Sequence, residues 1–452
     1  MHEGARVPIS VAAALAVGIA VGATAGVARA AGHPPSVLLV TVDTLRPDRM
    51  SGYGYGRPTS PCIDELFSRG TRFAQARTIE PLTNPALSTM VTGMLPHEHA
   101  ASRNGLRIQE GLDSLPKVLA RNGWKTAAIV SNWTLKDSIS GLAEHFADYI
   151  EVFTRRRWFG VINAEATAED VTDEAIDWLE GRLGDPEQPP VLLWVHYVEP
   201  HAPYRFHEEF AERLGIEGED PPRSDRYDTE VAAVDFEIGR LLDWVERRIE
   251  ADRVLVVFAS DHGESLGEHG DWGHGRNLYE PGLRIPLSFT WVGTVEQRVV
   301  DAPAQIVDIP VTVLDLIGLP SPPSFRGVSL AASLRGRGRP AATAACYQAH
   351  RGAVKGDSES DRARSKGLLE VGTINGDRKE VLRIPGNERR LFDLDADPGE
   401  LHNLADPGST PGPELVRCIG EISDGLGSLD RLSTGKLDHE TVEQLRTLGY
   451  LD

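Results

Sequence analysis

The sequence predicts an α/β fold in which a mostly parallel sheet is sandwiched by helices and followed by a small C-terminal antiparallel sheet. Short apolar runs typical of buried strands alternate with amphipathic segments typical of helices, which is the order of a doubly wound α/β sheet. Three of the runs pass directly into loops rich in Asp and His, where open α/β sheets bind ligands. Beyond about residue 340 the apolar pieces are short and separated by polar segments, which predicts the second sheet.

The individual elements follow from the spacing of apolar residues. Strands are predicted at residues 36–42, 126–130, 191–195 and 254–259, and in the C-terminal part at 367–374 and 379–384. Helices are predicted at residues 63–69, 115–122, 169–182 and 225–248, with a final helix at 414–426. The domain organisation is therefore a leader at 1–30, a catalytic domain at 35–340 and a C-terminal subdomain at 341–452.

Length and charge exclude some classes of protein. The 452 residues are enough for one large α/β domain with a smaller appendage, and the formal net charge is -20. Binding along a nucleic-acid backbone requires a Lys/Arg surface, so we expect no nucleic-acid partner. The three cysteines allow at most one intramolecular disulfide.

The N-terminus predicts export from the cytoplasm. Residues 8–27 are almost all apolar or small and are followed by Ala28-Arg29-Ala30, a pattern that suits signal peptidase. The alternative is an uncleaved membrane anchor, although the run is rich in Ala and Gly rather than Leu and Ile. We expect a secreted or periplasmic protein, which contacts a membrane only if the segment is not cleaved.

The polar loops after the strands contain candidate metal ligands. Asp43 follows the first predicted strand, and Asp261 with His262 follows the strand at 254–259. Two more histidines, His269 and His274, lie in the same loop. Such a mixed set of oxygen and nitrogen ligands suits a divalent ion of the Mn, Zn, Ca or Mg type.

Two histidines follow the strand at 191–195. His196 is close to the strand and is interpreted as a residue that caps it or packs beneath the loop. His201, beyond Pro200, is better placed to reach into a cleft.

Several segments resemble blocks of the sulfatase family, within the alkaline phosphatase superfamily, in that family's order. They are VLLVTVDTLRPDRM, TNPALSTMVTG, HYVEPHAPY, SDHGESLGEHGDWGHGRNLYEPGLRIPL and LFDLDADPGELHNLA. The resemblance implies a mostly parallel sheet between helices, a smaller C-terminal sheet and one or two divalent cations. It implies that Asp43, Asp261 and His262 are metal ligands.

The same resemblance implies roles for four other residues. Thr83 stands at the position of the nucleophile, and His201 and His274 match positions that contact the transferred group or the leaving oxygen. Asn104 matches a polar substrate-binding position near the pocket.

The chain departs from the family at two places. Sulfatases carry a Cys or Ser that is converted to formylglycine, and a stabilising Arg; this chain has Thr83 and Leu87 in the same frame, so no formylglycine can form. Thr44 stands where sulfatases have a second Asp. Both changes shift the expected reaction from sulfate towards phosphate or phosphonate esters, through a covalent phosphothreonine.

Alternatives remain open from the sequence. Thr83 precedes a predicted helix, so it is also a good helix N-cap. The chain could be a phospho-alcohol transferase or a catalytically silent relative that binds an anionic ligand. The expected partner of an active enzyme is a small-molecule, glycan or lipid ester.

Overall fold

An eight-stranded sheet forms the centre of the structure, a computed structural model that describes residues 34–157, 162–185, 187–218, 220–338, 345–354 and 363–429. The strands of these residues, in chain order, are β1 (Ser36–Val42), β2 (Thr71–Arg77), β3 (Lys125–Val130), β4 (Asp148–Glu151), β5 (Arg155–Arg157), β6 (Ile162–Glu165), β7 (Val191–Tyr197), β8 (Val254–Ser260), β9 (Ser265–Leu266), β10 (Trp272–Gly273), β11 (Leu287–Thr290), β12 (Arg298–Gln305), β13 (Ala345–His350), β14 (Leu368–Asn375), β15 (Arg378–Arg383) and β16 (Glu388–Asp393).

The helices of the same residues surround the sheet. They are α1 (Pro61–Ser68), α2 (Thr83–Thr92), α3 (Pro96–His99), α4 (Leu115–Arg121), α5 (Asp137–Ser140), α6 (Ala168–Leu179), α7 (Glu208–Leu214), α8 (Arg223–Glu246), α9 (Glu280–Leu283), α10 (Asp308–Ile317), α11 (Ala331–Leu334) and α12 (Pro413–Leu429). Among the described residues, no helix is both long enough and apolar enough to cross a bilayer.

The central sheet is mostly parallel. Its strand order is β12-β2-β11-β8-β1-β7-β3-β4, and only β11 runs antiparallel to its neighbours. Alternate residues of β1 face opposite sides: Val37 and Leu39 pack in one hydrophobic core, and Leu38 and Val40 pack in the other. The sheet is therefore buried on both faces, which confirms the predicted fold class.

A four-stranded antiparallel sheet, β13-β14-β15-β16, follows in the C-terminal part. The apolar face of α12 packs on it, and Cys418 of α12 forms a disulfide with Cys346 of β13. The boundary predicted near residue 340 falls at 339–344, outside the described residues, as does the leader at 1–30.

Most of the predicted elements lie within a few residues of the observed ones, whereas β2, β4, β11 and β12 of the central sheet were not predicted. Strand β2 reads TRFAQAR, in which polar residues interrupt the apolar ones, and β12 includes a proline. Strand β12 is the edge strand of the sheet, where proline is tolerated, and β2 is its neighbour.

Candidate active site

The candidate site lies where three neighbouring strands end. Strand β1 pairs in parallel with β7 and β8, and Val42 is aligned with Tyr197 on one side and Ser260 on the other. The residues just beyond these positions therefore meet at one edge of the sheet. Asp43 and Asp261, predicted on separate loops, are brought together there and are both fully buried.

Backbone and side-chain donors fix the orientation of both carboxylates. Asp261 Oδ1 accepts hydrogen bonds from the backbone N–H groups of Thr44 at 3.1 Å and His262 at 2.7 Å. Asp43 Oδ2 accepts one from Asn132 Nδ2 at 2.5 Å. The other oxygens, Asp43 Oδ1 and Asp261 Oδ2, are buried without a hydrogen-bond partner among the described residues.

The imidazole of His262 faces these two oxygens. Its Nε2 atom lies 3.4 Å from Asp261 Oδ2 and 3.9 Å from Asp43 Oδ1. Its Nδ1 atom is 2.9 Å from the Gly263 carbonyl, which can only accept, so Nδ1 carries the proton. The neutral ring therefore points its Nε2 lone pair at the carboxylates, as a metal ligand would.

Gly263 is required at this turn because the backbone of another segment approaches it closely. A Cβ atom there would lie 2.1 Å from the Pro281 carbonyl oxygen. The Gly263 N–H also donates to the Gly282 carbonyl at 2.9 Å. The glycine thus lets the segment around α9 pack directly against the metal-ligand loop.

The electrostatics of the cluster favour a cation. Burial raises the pKa of Asp43, and the charge of Asp261 raises it further. Burial also raises the pKa of Asp261 to about 7 and lowers the pKa of His262 to about 4. Two buried carboxylates that repel each other, with orphaned oxygens beside a neutral imidazole, fit a divalent ion.

Thr83 is the first residue of α2, and its hydroxyl belongs to this cluster. Thr83 Oγ1 lies 3.4 Å from His262 Nε2, and the residue is fully buried. The N-cap position is occupied by Leu82, so the interpretation of Thr83 as the N-cap was wrong. The hydroxyl instead faces the candidate ligands at a helix N-terminus, where anions are favoured.

His201 and His274 form a pair beside the cluster. Their Nε2 atoms lie 3.2 Å apart, while His201 Nδ1 faces the Ala202 carbonyl at 2.7 Å and His274 Nδ1 faces the Pro81 carbonyl at 3.1 Å. Each Nδ1 therefore carries a proton, and a hydrogen bond between the Nε2 atoms needs one more. Burial lowers the pKa of His274, so the pair is neutral near neutral pH and takes up the extra proton only when an anion lies beside it.

Asn104 contacts Asn84, the residue that follows Thr83. Its Oδ1 accepts from the backbone N–H of Asn84 at 3.0 Å, and its Nδ2 is buried without a partner in the described part of the chain. Asn104 therefore orients the first turn of α2. Its predicted contact with substrate stays a prediction.

Sequence reasoning missed Asn132 and did not predict the contact between His196 and Asp43. Asn132 follows β3, but an Asn after a strand carries no signature beyond its place at the carboxyl edge of the sheet. His196 was interpreted as structural; its Nε2 instead lies 3.7 Å from Asp43 Oδ2. Burial, and then the charges of the neighbouring His262 and His201, lower the pKa of His196 to about 3, so its ring is neutral.

His269 stacks on Tyr279, with ring centroids 3.6 Å apart.

The family model and the relatives that match this chain name the same family. A family model described as Sulfatase matches residues 35–319. Choline-sulfatase of Rhizobium meliloti is 26% identical over 443 residues, covering 82% of this chain and 82% of the relative. N-acetylglucosamine-6-O-sulfatase of Bacteroides thetaiotaomicron is 22% identical over 474 residues, again covering 82% of each.

Solved structures show the same fold. A protein in complex with its substrate D-glucosamine-2-N,6-O-disulfate superposes with a TM-score of 0.67 at 20% identity, covering 88% of this chain and 100% of that one. The phosphonate monoester hydrolase of Agrobacterium radiobacter superposes with a TM-score of 0.66 at 19% identity, covering 89% and 97%.

Proposed function

The chain belongs to the sulfatase family, and on that premise we propose that it hydrolyses phosphate or phosphonate esters through a covalent threonine intermediate. The observation that carries the proposal is the hydroxyl of Thr83, 3.4 Å from His262 Nε2 at the start of α2. Threonine cannot become formylglycine, so the elimination by which that group releases sulfate is not open to this chain. Water, in contrast, can displace a phosphoryl group from a threonine oxygen.

The buried cluster supplies the electrostatic stabilisation. Asp43, Asp261 and His262 would hold a divalent cation, which when bound stabilises the Thr83 alkoxide and the oxygens of the transferred group. Leu87, at the position where sulfatases have an arginine, packs in the hydrophobic core and contributes no charge to the site. The N-terminus of α2 adds partial positive charge where the anion would lie.

The chain's own residues account for the two chemical steps. The Thr83 alkoxide, whose proton has already been lost to solvent, attacks phosphorus through Oγ1, and the bond from phosphorus to the alcohol oxygen breaks. The His201–His274 pair gives its shared proton to that oxygen. Water then attacks the phosphothreonine, the pair takes a proton from the water, and the Thr83 alkoxide is regenerated as phosphate or phosphonate leaves.

Sulfate-ester hydrolysis is the second candidate, because relatives such as choline-sulfatase and N-acetylglucosamine-6-O-sulfatase are named for it. The phosphonate monoester hydrolase with the same fold supports the first candidate. One structural neighbour binds a sulfated glucosamine, which supports a small-molecule or glycan ester as the substrate.

We also propose that the protein is exported. The leader-like residues 8–30 support this, and so does the disulfide between Cys346 and Cys418. Structural disulfides persist in oxidising compartments and are rare in the cytosol.

The test is a parallel assay of wild type, Thr83→Ala and Thr83→Ser, loaded with Mn²⁺ or Zn²⁺, on 4-nitrophenyl phosphate, a phosphate diester, phenylphosphonate and 4-nitrophenyl sulfate. We expect phosphoryl turnover that falls by at least about 10³-fold in Thr83→Ala. The Ser variant retains a hydroxyl and should keep part of the activity. Rapid acid quench and intact-mass measurement should trap a phosphorylated wild type.

Thr92→Ala is the matched control, because Thr92 is buried on the same helix and its hydroxyl bonds only to the helix backbone. This variant should retain turnover. Undiminished phosphoryl turnover in Thr83→Ala would refute the covalent mechanism. Turnover of the sulfate ester alone would favour the second candidate, and metal binding without turnover of any ester would favour a silent relative.

A further inference from the structure

We propose that His196 is a further ligand of the active-site cation, beyond Asp43, Asp261 and His262. Its Nε2 atom lies 3.7 Å from Asp43 Oδ2, whereas His262 Nε2 lies 3.9 Å from the other oxygen of that carboxylate, Oδ1. Ligand atoms of Asp43, His196 and Asp261 all lie within 4.8 Å of one another. The inference rests on the proposed function only in taking this cluster as a metal centre.

The spacing of the ligand atoms suits a metal ion. Ligands about 2.0–2.2 Å from a tetrahedral ion lie roughly 3.3–3.6 Å from one another. The distances from the two imidazoles to the carboxylates are 3.4, 3.7 and 3.9 Å. Asp43 presents Oδ2 to His196 and Oδ1 to His262, so both imidazoles approach the same carboxylate.

The hydrogen bonds around His196 determine which nitrogen is protonated. Trp194 Nε1 donates to Thr41 Oγ1 at 2.8 Å, and the Thr41 hydroxyl donates to the Val195 carbonyl at 3.4 Å. His196 Nδ1 lies 2.9 Å from the same Thr41 oxygen, and with a proton on Nδ1 it donates there while the Thr41 hydroxyl donates to Val195. The Nε2 atom then holds a lone pair, as a metal-binding imidazole requires.

The reverse tautomer would leave a buried donor without an acceptor. His196 is fully buried, and its Nε2 has no hydrogen-bond partner within the described residues. A proton on Nε2 could reach only Asp43 Oδ2, which at 3.7 Å is beyond hydrogen-bond range. The hydroxyl of Thr44, the residue after Asp43, is also buried and has no partner in the described part of the chain. Orphaned atoms that converge from three strand ends are explained by a cation between them.

The composition of the ligand set predicts the preferred metal. With His196 included, two imidazoles and two carboxylates surround the ion. Imidazole favours Zn²⁺ and similar transition metals, whereas a set of oxygen ligands favours Ca²⁺ or Mg²⁺. We therefore expect the wild-type chain to bind Zn²⁺ more tightly than Ca²⁺ or Mg²⁺.

The experiment compares Zn²⁺ affinity of the metal-stripped full-length chain and its variants by competition with a chromophoric chelator, together with the visible spectrum of the Co²⁺-loaded protein. The Asn side chain of His196→Asn retains a donor near Nδ1 for Thr41 but has no ligand atom near Nε2. We expect this variant to lose at least about tenfold in Zn²⁺ affinity and to change the Co²⁺ spectrum. His145→Asn, a buried histidine outside the cluster, should bind Zn²⁺ within about twofold of wild type.

A second variant keeps the test informative if His196→Asn does not fold. His196→Gln places an amide oxygen near the Nε2 position, so it should bind Zn²⁺ more weakly while Mg²⁺ affinity changes less. Unchanged Zn²⁺ affinity in either folded variant, with only a lower Tm in the metal-free protein, would show a structural role and overturn the inference. The proposed function would stand in that case, because wild type would still bind metal. Wild type that binds no metal would refute both, whereas turnover retained by Thr83→Ala would refute only the covalent mechanism.

Discussion

The two oxygens of the Asp43 carboxylate have different surroundings, because the side-chain amide of Asn132 donates a hydrogen bond to only one of them. Oδ2 accepts from Asn132 Nδ2, while Oδ1 faces His262 without a hydrogen bond. The orientation of the Asn132 amide is fixed, because its Oδ1 accepts from both the backbone and the hydroxyl of Thr134 at 2.9 Å. Asn132 therefore acts as a positioning residue that holds Asp43 towards the ligand cluster.

Replacing Asn132 by Ala should lower kcat/KM of the metal-loaded enzyme about 10- to 100-fold. A hydrogen bond to a charged group contributes about 1.5–3 kcal/mol, and each 1.4 kcal/mol is about tenfold in rate. The measurement is the steady-state rate on the best ester from the parallel assay. Asn122→Ala is the control, since Asn122 donates only to a helix carbonyl at 2.8 Å. Equal rates in the two variants would contradict the role.

The positions of the charged site residues could be predicted, but their exact partners could not. Asp43 and Asp261 were found because each follows an apolar strand, and parallel strands end at one edge. The left-handed backbone of Thr44, with φ 54°, was not predictable, since β-branched residues rarely adopt it. It turns the Thr44 N–H towards Asp261 Oδ1, at a conformational cost of about 1–3 kcal/mol. The contact of His196 with Asp43 was not predicted because a histidine within a strand does not reveal which group its Nε2 will face.

At the scale of elements, the C-terminal sheet supports the start of α2, the helix that begins at Thr83. Glu80, three residues before Thr83, accepts from Gln348 Nε2 at 2.7 Å and pairs with His350 Nδ1 at 2.7 Å. Both partners lie on β13, and the backbone N–H of Gln348 also donates to the Ile79 carbonyl at 3.1 Å. The segment that leads into α2 is thus held by the small sheet.

The disulfide joins β13 to α12 and should stabilise this support. Its two cysteines are 72 residues apart, and closing a loop of that length typically contributes about 2–4 kcal/mol. We expect the double variant Cys346→Ala/Cys418→Ala to lose about that much free energy of unfolding in urea. Cys62→Ala, which removes the free thiol, is the control. A difference below about 0.5 kcal/mol between the two would show that packing of α12 alone holds the sheet.

The elements that carry the site were predictable because they are the most buried. Strands β1, β7 and β8 consist of apolar runs covered on both faces, and their predicted bounds lie within two residues of the observed ones. The disulfide pairing was not predictable, since three cysteines allow three pairs. Only the antiparallel order of β13 and β14, with α12 packed across them, brings Cys346 to Cys418.

At the scale of the whole molecule, a buried ion network joins the central sheet to the C-terminal sheet. Glu280 of α9 is paired with Arg77 of β2 at 2.8 Å and with Lys379 of β15 at 3.0 Å. Lys379 also pairs with Glu400 at 2.7 Å, and Glu400 accepts from the Glu280 N–H at 2.6 Å. Removing one member would leave an uncompensated buried charge, so Lys379→Met should cost about 3–5 kcal/mol.

This network also predicts how stability depends on pH. Burial alone would raise the pKa of Glu280, but the charges of Arg77 and Lys379 outweigh it and lower the pKa to about 2, from an ordinary value of 4.5. Folding therefore favours the ionised form. The stabilising contribution is complete above pH 4.5 and is lost as the pH falls towards 2. In urea unfolding measured across that range, the free energy of unfolding of wild type should lose its advantage over that of Glu280→Gln as the pH decreases.

The control is Glu421→Gln, which removes an exposed pair with Arg417 at 2.9 Å. Its free energy of unfolding should stay within about 0.5 kcal/mol of wild type at every pH. A constant difference between wild type and Glu280→Gln from pH 5 to pH 2 would mean that Glu280 is not held ionised by its two cations.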